Sequence, residues 1–242
     1  MPKRNRRPGQ NIRELERKRR IRAIYSFASA ALLVCLPFFL TRLFEPFLNS
    51  WNASFPLQKQ FSLHFSPIFY YVFFVFFFVL ALLLVANGLY YWKRATHAAQ
   101  GAKGEEETGR ELSQLEYEGW TIEYGMRLGN RLGDADIVCI SPEGKAYVID
   151  VKSHKGEVVV YGEQLYRRMG KTNYPFEKDF INQTVKQALQ VRKQKGLKFV
   201  TPILVFSQAK VSVPSNRLRQ VYVVEKAKLV SLLKSLDYSN PN

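Results

Sequence analysis

The chain has 242 residues, 36 Lys plus Arg against 20 Asp plus Glu, a formal charge of +16 and 47% hydrophobic residues. Residues 1–22 carry ten Lys/Arg and two acids, residues 23–92 only Arg42 and Lys59 against Glu45, and residues 93–242 carry 24 Lys/Arg against 17 acids. Long uncharged apolar blocks in the middle exclude an ordinary soluble protein, and two cysteines in unlike contexts, Cys35 and Cys139, exclude a disulfide framework or a metal knuckle.

Residues 1–22 form a basic N-terminal segment. No charged residue occurs from Ala23 to Leu40, and none from Phe65 to Trp92. As a helix, residues 21–43 would span about 34 Å, enough for a hydrocarbon core of roughly 30 Å. Residues 67–92 form a second predicted span, flanked by Tyr70, Tyr71, Tyr90, Tyr91 and Trp92 as an interfacial belt would flank it. The bland alternative is a pair of core helices in a soluble protein. RELERKRRIR precedes the first span and Lys93-Arg94 follows the second, while the connecting segment 41–66 holds only Arg42 and Lys59 as cations. The positive-inside rule then puts both termini in the cytoplasm. The expected arrangement is a multi-pass integral membrane protein: a transmembrane helical hairpin over 23–92, a short external loop and a cytoplasmic C-terminal domain. The lipid bilayer is the implied partner, with anionic headgroups under the basic N-terminus; a nucleic-acid-binding arm is the alternative for that segment. Neither span carries an embedded ionisable group of the kind that marks transport.

Residues 93–103 read as a linker, its small-residue run THAAQGAKG ending at Gly104, and 104–242 as one domain. A helix is predicted from Gly104, with Leu112 and Leu115 on its apolar stripe, ending at Gly119. WTIEYGMRL, ADIVCIS and KAYVIDVKS read as three strands, the last two joined by a turn at Pro142-Glu143-Gly144. EVVVYG reads as a short fourth strand, and 162–177, without a clear period, as a loop. Lys178 to Lys195 is predicted to be a helix, KFVTPILVF and RQVYVVE two further strands, and KAKLVSLLKSL a terminal helix. The order implies an α/β sandwich around a central sheet and is not the regular βαβ repeat of a nucleotide-binding fold.

Two aspartates and a lysine stand where apolar residues are expected. Asp136 opens the strand IVCI, and Asp150 and Lys152 alternate with Ile149 and Val151 near the end of the next strand. A tight turn between the strands would bring Asp136 beside Asp150 and Lys152. Two adjacent carboxylates repel unless a cation intervenes. An all-oxygen site suits Mg²⁺ or Mn²⁺, with Asp136, Asp150 and the backbone carbonyl of Val151 as ligands. Lys152 would hold or help deprotonate a water and stabilise charge on a phosphoryl oxygen. The competing reading is a set of structural salt bridges at a sheet edge.

The order of these residues resembles the nuclease-related domain (NERD) family, a branch of the restriction-endonuclease-like PD-(D/E)xK superfamily. The resemblance covers residues 101–208. It rests on Gly101-Ala-Lys-Gly104-Glu105, Gly133-Asp-Ala-Asp136, Gly144-Lys-Ala-Tyr-Val-Ile-Asp150-Val-Lys152-Ser153, Gly156, Gln183 and PILVFS before Gln208. The proline often found just before that glutamine is absent, since Phe180-Ile-Asn precede Gln183. The resemblance implies a restriction-endonuclease-like three-layer sandwich with a mixed central sheet. It also implies Mg²⁺-dependent hydrolysis of DNA phosphodiesters, with Glu105, Asp136, Asp150, Lys152 and Gln183 as site residues. A non-catalytic nucleic-acid-binding or scaffolding module on the same fold is the alternative. Arg167, Arg168, Lys171, Lys178, Lys186, Arg192, Lys193, Lys195 and Lys198 would meet phosphates without reading sequence, so DNA binding is expected to be nonspecific. His154 reads as surface; Cys139, Trp120 and Tyr124 read as core packing.

Overall fold

The computed structural model describes residues 7–54, 67–129 and 132–238, so the basic residues 1–6 and the expected loop residues 55–66 lie outside the described residues. Two compact units emerge: residues 15–97, and residues 98–242 together with the N-terminal 1–14.

Helices α1 (Gln10–Ser54) and α2 (Pro67–Glu116) both contribute to the first unit. Within it they run antiparallel. Asn87 Nδ2 donates to Ser26 Oγ at 3.1 Å, and the Phe38 and Phe74 rings meet edge-on at 4.9 Å. At Gly88 a Cβ would fall 2.6 Å from the Phe27 ring, so the missing side chain is what admits the neighbouring helix. Large apolar side chains point outward, with Leu32 71%, Phe39 64%, Tyr71 73% and Leu83 62% exposed. Such a coat has no counterpart on an ordinary soluble surface. Both helices are long and apolar enough to cross a membrane. At one end of the pair, Arg20 lies over Trp92 at 5.5 Å, Arg22 over Tyr91 at 5.8 Å and Arg94 over Tyr90 at 5.4 Å.

Two boundaries differ from expectation. Helix α1 begins at Gln10 and continues to Ser54, because the basic stretch and the start of the expected loop are built largely of helix-compatible residues. The expected linker 93–103 is also helical, as part of α2. At its end, Gly104 allows close approach: a Cβ there would lie 2.6 Å from Ser207 Oγ and 3.2 Å from Ser153 Cβ.

The second unit is built on one mixed eight-stranded sheet: β1 (Thr121–Arg127), β2 (Asp134–Ile140), β3 (Ala146–Tyr161), β4 (Gln164–Met169), β5 (Thr172–Pro175), β6 (Thr201–Ser212), β7 (Arg217–Leu218) and β8 (Val221–Glu225). The main order is β1-β2-β3-β6-β8-β7, with β4 on β3 and β5 on β4. Pairings of β3 with β6 and of β6 with β8 are parallel; the others are antiparallel. Residues read as separate third and fourth strands form one 16-residue strand, β3, irregular in register between Lys152 and Lys155. The apolar alternation breaks at that irregularity, which is why one strand looks like two. Strands β4 and β5 correct the loop expected over 162–177. Their polar, aromatic composition lacks a period because both faces are partly exposed.

Helices α3 (Phe180–Lys195) and α4 (Leu229–Tyr238) complete the unit. On one sheet face, Leu112 and Leu115 of α2 and Leu229 and Leu233 of α4 pack with Ile137, Ile149, Ile203 and Val224. On the other, Ala188 and Val191 of α3 pack with Val138 and Val148, and Phe180 and Ile181 with Leu204 and Phe206. Helices thus cover both faces of the sheet. Cys139 and Trp120 are core residues, as read from their neighbours.

Candidate functional site

The turn expected at Pro142–Gly144 is present. Gly144 adopts φ +77°, and Ser141 N–H donates to Lys145 O at 2.9 Å. It sets the β2–β3 register Ile140↔Ala146 through Ile137↔Ile149, and one further step places Asp136 opposite Asp150 on a common face. The Asp136 carboxylate accepts the Val151 N–H at 2.8 Å just where the regular β2–β3 pairing ends.

Asp150 is 1% exposed, and Lys152, two residues along the same strand face, reaches it. Lys152 Nζ donates to Oδ1 at 2.9 Å and lies 2.7 Å from Oδ2, the latter contact falling outside hydrogen-bonding angles. Its ammonium also sits 4.9 Å from the Phe180 ring centre, which ties α3 to the site.

Glu105 enters from α2. Three consecutive acids there point three ways, as residues 100° apart on a helix must. Glu106 pairs with Arg13 at 2.7 Å and Glu107 with Lys226 at 3.0 Å, while Glu105, 8% exposed, turns to the cluster. Burial, then the charge of Asp150, raises the Glu105 carboxyl to about 7, against the opposing hydrogen bond from Gly9 N–H. Asp136 is half-buried by accessible surface but densely surrounded by protein atoms. That environment, with the charges of Glu105 and Asp150, holds its carboxyl well above the usual range. Three acids share one lysine, and the cluster is short of positive charge.

Among the described residues no three His, Cys, Asp or Glu side chains converge closely enough to hold a metal ion as they stand. The donor chemistry nonetheless fits a hard cation. The groups are carboxylate oxygens, and burial together with their mutual repulsion raises two of them.

Gln183 lies half-buried in the first turn of α3, which is capped by the Asp179 side chain accepting from Asn182 N–H at 2.9 Å. One turn later, Gln187 is fully buried, and its Nε2 donates to the Asp134 carbonyl at 3.3 Å. Its Oε1 is buried without a partner among the described residues. Gln187 carries no signal of its own in the sequence, because a polar residue four positions after Gln183 simply continues one side of the helix. His154 also departs from expectation. It is half-buried among Phe176, Phe180 and Phe206, with ring distances of 5.1, 5.5 and 6.4 Å. Burial, with Arg167 and Lys152 nearby, lowers its pKa and favours the neutral imidazole. Its aromatic neighbours come from α3, β6 and the segment after β5, so no local pattern announces them.

The basic residues divide. Arg168 is engaged by Glu157 at 3.2 Å and Asn173 at 3.2 Å, and Lys195 by Glu123 at 2.7 Å. Arg167, one residue out of phase with Arg168, lies across from Val158 and Tyr174, and its charge reaches His154.

The family model of the nuclease-related domain (NERD) matches residues 100–207, a stretch that holds Glu105, Asp136, Asp150, Lys152 and Gln183. No curated protein matches the chain. No solved structure does so either.

Proposed function

We propose that this chain is a membrane-anchored nuclease that hydrolyses DNA phosphodiester bonds with Mg²⁺ or Mn²⁺ at the Glu105–Asp136–Asp150–Lys152 cluster. The observation that carries this reading is the meeting of three acids and one lysine on the β2–β3 hairpin and α2, inside the segment that resembles nuclease-related domains. Asp136, Asp150 and the Val151 carbonyl would hold the ion, with Glu105 beside them. When bound, a divalent ion supplies charge neutralisation at the phosphate and a more acidic water.

This chain's own residues do the rest. In hydrolysis the water oxygen bonds to phosphorus while the bond to the leaving oxygen breaks. The water loses a proton to the cluster, and the leaving oxygen takes one up from solvent. Lys152, held by Asp150 and the Phe180 ring, is aimed where it can orient that water and offset charge growing on a phosphoryl oxygen. Gln183 would orient groups from α3, and Arg167 with exposed Lys171, Lys186 and Arg192 would neutralise phosphates. Residues 100–207 would carry the restriction-endonuclease-like form of the mixed sheet. The anchor would be the α1–α2 pair, with both termini cytoplasmic and anionic headgroups near the arginine–aromatic end.

One observation favours a second reading, a membrane-tethered nucleic-acid-binding or scaffolding module without turnover. Lys152 Nζ, 2.7 Å from Asp150 Oδ2, gives the buried aspartate a cation from the chain itself. Incubation of the full chain in detergent with linear DNA, circular DNA or RNA, in Mg²⁺, Mn²⁺ or chelator, separates the two. Nuclease function requires metal-dependent cleavage that Asp150→Ala abolishes, that Lys152→Ala reduces while retaining metal binding, and that Glu105→Ala reduces less. Binding without cleavage in either metal favours the second reading, and cleavage unaffected by Asp150→Ala removes the first.

A further inference from the structure

The compact unit that holds the acidic cluster includes the first residues of α1 and those just before it. The chain reaches α2 at Pro8, whose ring would lie 2.7 Å from a Cβ on Gly109, and Ile12 packs over Gly101. Gly9 takes φ +71°, and a Cβ there would lie 2.8 Å from the Ala102 carbonyl oxygen, so the backbone passes α2 at a distance only glycine allows. The Gly9 N–H then faces the Glu105 carboxylate and favours its ionised form. Two residues on, Asn11 Nδ2 donates to Asp134 Oδ2 at 2.6 Å. Two further on, Arg13 grips Glu106 through Nε at 2.7 Å and Nη2 at 2.8 Å. Three acids at the rim of the cluster each receive a donor from one turn of chain. Asp134 is clamped from two sides, its carboxylate by Asn11 and its carbonyl by Gln187 of α3.

We infer that Gly9, Asn11 and Arg13, at the start of α1, are positioning residues of the site: they set Glu105 and the Asp134–Asp136 end of β2, so the working unit is assembled from residues 7–14 and 98–238. Glu105, faced by the Gly9 amide, keeps its place beside Asp150. The Arg13–Glu106 pair, one residue along α2, locks the turn that supplies that amide. Asn11 fixes the side chain two residues before Asp136 on the same strand. Groups that orient metal-binding or reacting groups without touching substrate commonly matter about 10–100-fold.

The metal and cleavage arms of the test rest on the nuclease reading; a third arm does not. In the full chain in nanodiscs, Asn11→Ala, Arg13→Ala and the double variant are compared with wild type and with Arg13→Lys. Carbodiimide coupling of Glu105, read by peptide mass spectrometry without metal or DNA, should rise severalfold in the double variant, with coupling of exposed Glu163 unchanged. Mn²⁺ affinity, read by electron paramagnetic resonance, should fall about tenfold, and cleavage should lose kcat with KM for DNA unchanged. Arg13→Lys, which keeps a cation for Glu106, should recover most of both losses. Wild-type Glu105 coupling in the double variant would overturn the inference. So would a faster cleavage rate, since the turn would then obstruct the site. A wild-type chain that neither binds Mn²⁺ nor cuts DNA removes the nuclease reading alone, and Glu105 coupling still decides whether the turn holds the acid.

Discussion

Arg167 and Arg168 are neighbours in sequence on opposite sides of β4, and their consequences should differ accordingly. Arg168 joins Glu157 and Asn173, and Glu157 in turn accepts from Ser212, a network that staples β4 to the irregular end of β3. Arg168→Ala should lower the melting temperature slightly, with little change in the salt dependence of DNA binding. Arg167→Ala should leave stability near wild type and reduce the log–log salt slope of binding by about one, measured by fluorescence anisotropy across salt concentrations. The carboxyl cluster makes a separate prediction. Glu105 rises from 4.5 to about 7, and Asp136 also rises. The folded cluster therefore binds more protons than it does in the unfolded state across that window, and its contribution to stability falls as pH increases through it. With chelator present, the melting temperature should decrease from about pH 5 to pH 8, and Glu105→Gln should flatten that decrease. A melting temperature that rises over the same range would contradict the geometry of the cluster.

At the scale of elements, β3 carries most of the site and is bent where it must leave β2 and accept β4. Gly156, at φ +99°, lies just past the irregularity, and a Cβ there would meet the Arg168 carbonyl oxygen at 2.7 Å. Both strain and backbone contact oppose a side chain, so Gly156→Ala should cost about 1–3 kcal/mol in thermal unfolding of the full chain. The same glycine stood in the sequence only as one more member of an ordered motif. Helix α3 is framed by clearer signals: the Asp179 cap at its start and left-handed Gly196 at its end, whose N–H donates to Arg192 O. Its first residue differs from expectation by two positions, Phe180 instead of Lys178, because the capping aspartate sits outside the helix. Helix α2 was harder to read, since small residues that suggest a flexible linker are here the contact surface for Ser153, Ser207, Pro8 and Ile12.

At the scale of the whole molecule, the apolar pair and the sheet unit are each recognisable, and the proposed topology puts the sheet unit on the cytoplasmic side. Protease added outside intact cells should cut only within the segment between the two apolar helices, leaving the sheet unit whole on an immunoblot. Fragments cut within 121–225 would place that unit outside and defeat the topology.

Composition and spacing alone determined the two long apolar helices, the β2–β3 hairpin and the alignment of Asp136 with Asp150 and Lys152. Each of these depends on local periodicity, a turn of fixed length or uninterrupted hydropathy, which a chain carries along its own length. Tertiary structure decided the rest. Whether Glu106 or Glu105 faces the cluster depends on which side α2 turns to β3 and β6, and Gly104, packed on Ser153 and Ser207, marks that side. His154 becomes a half-buried neutral ring only because Phe176, Phe180 and Phe206 converge from separate elements. The amide of Gly9 reaches Glu105 across almost a hundred residues of chain. Contacts that distant have no period to betray them, and they exist only once burial has brought the elements together.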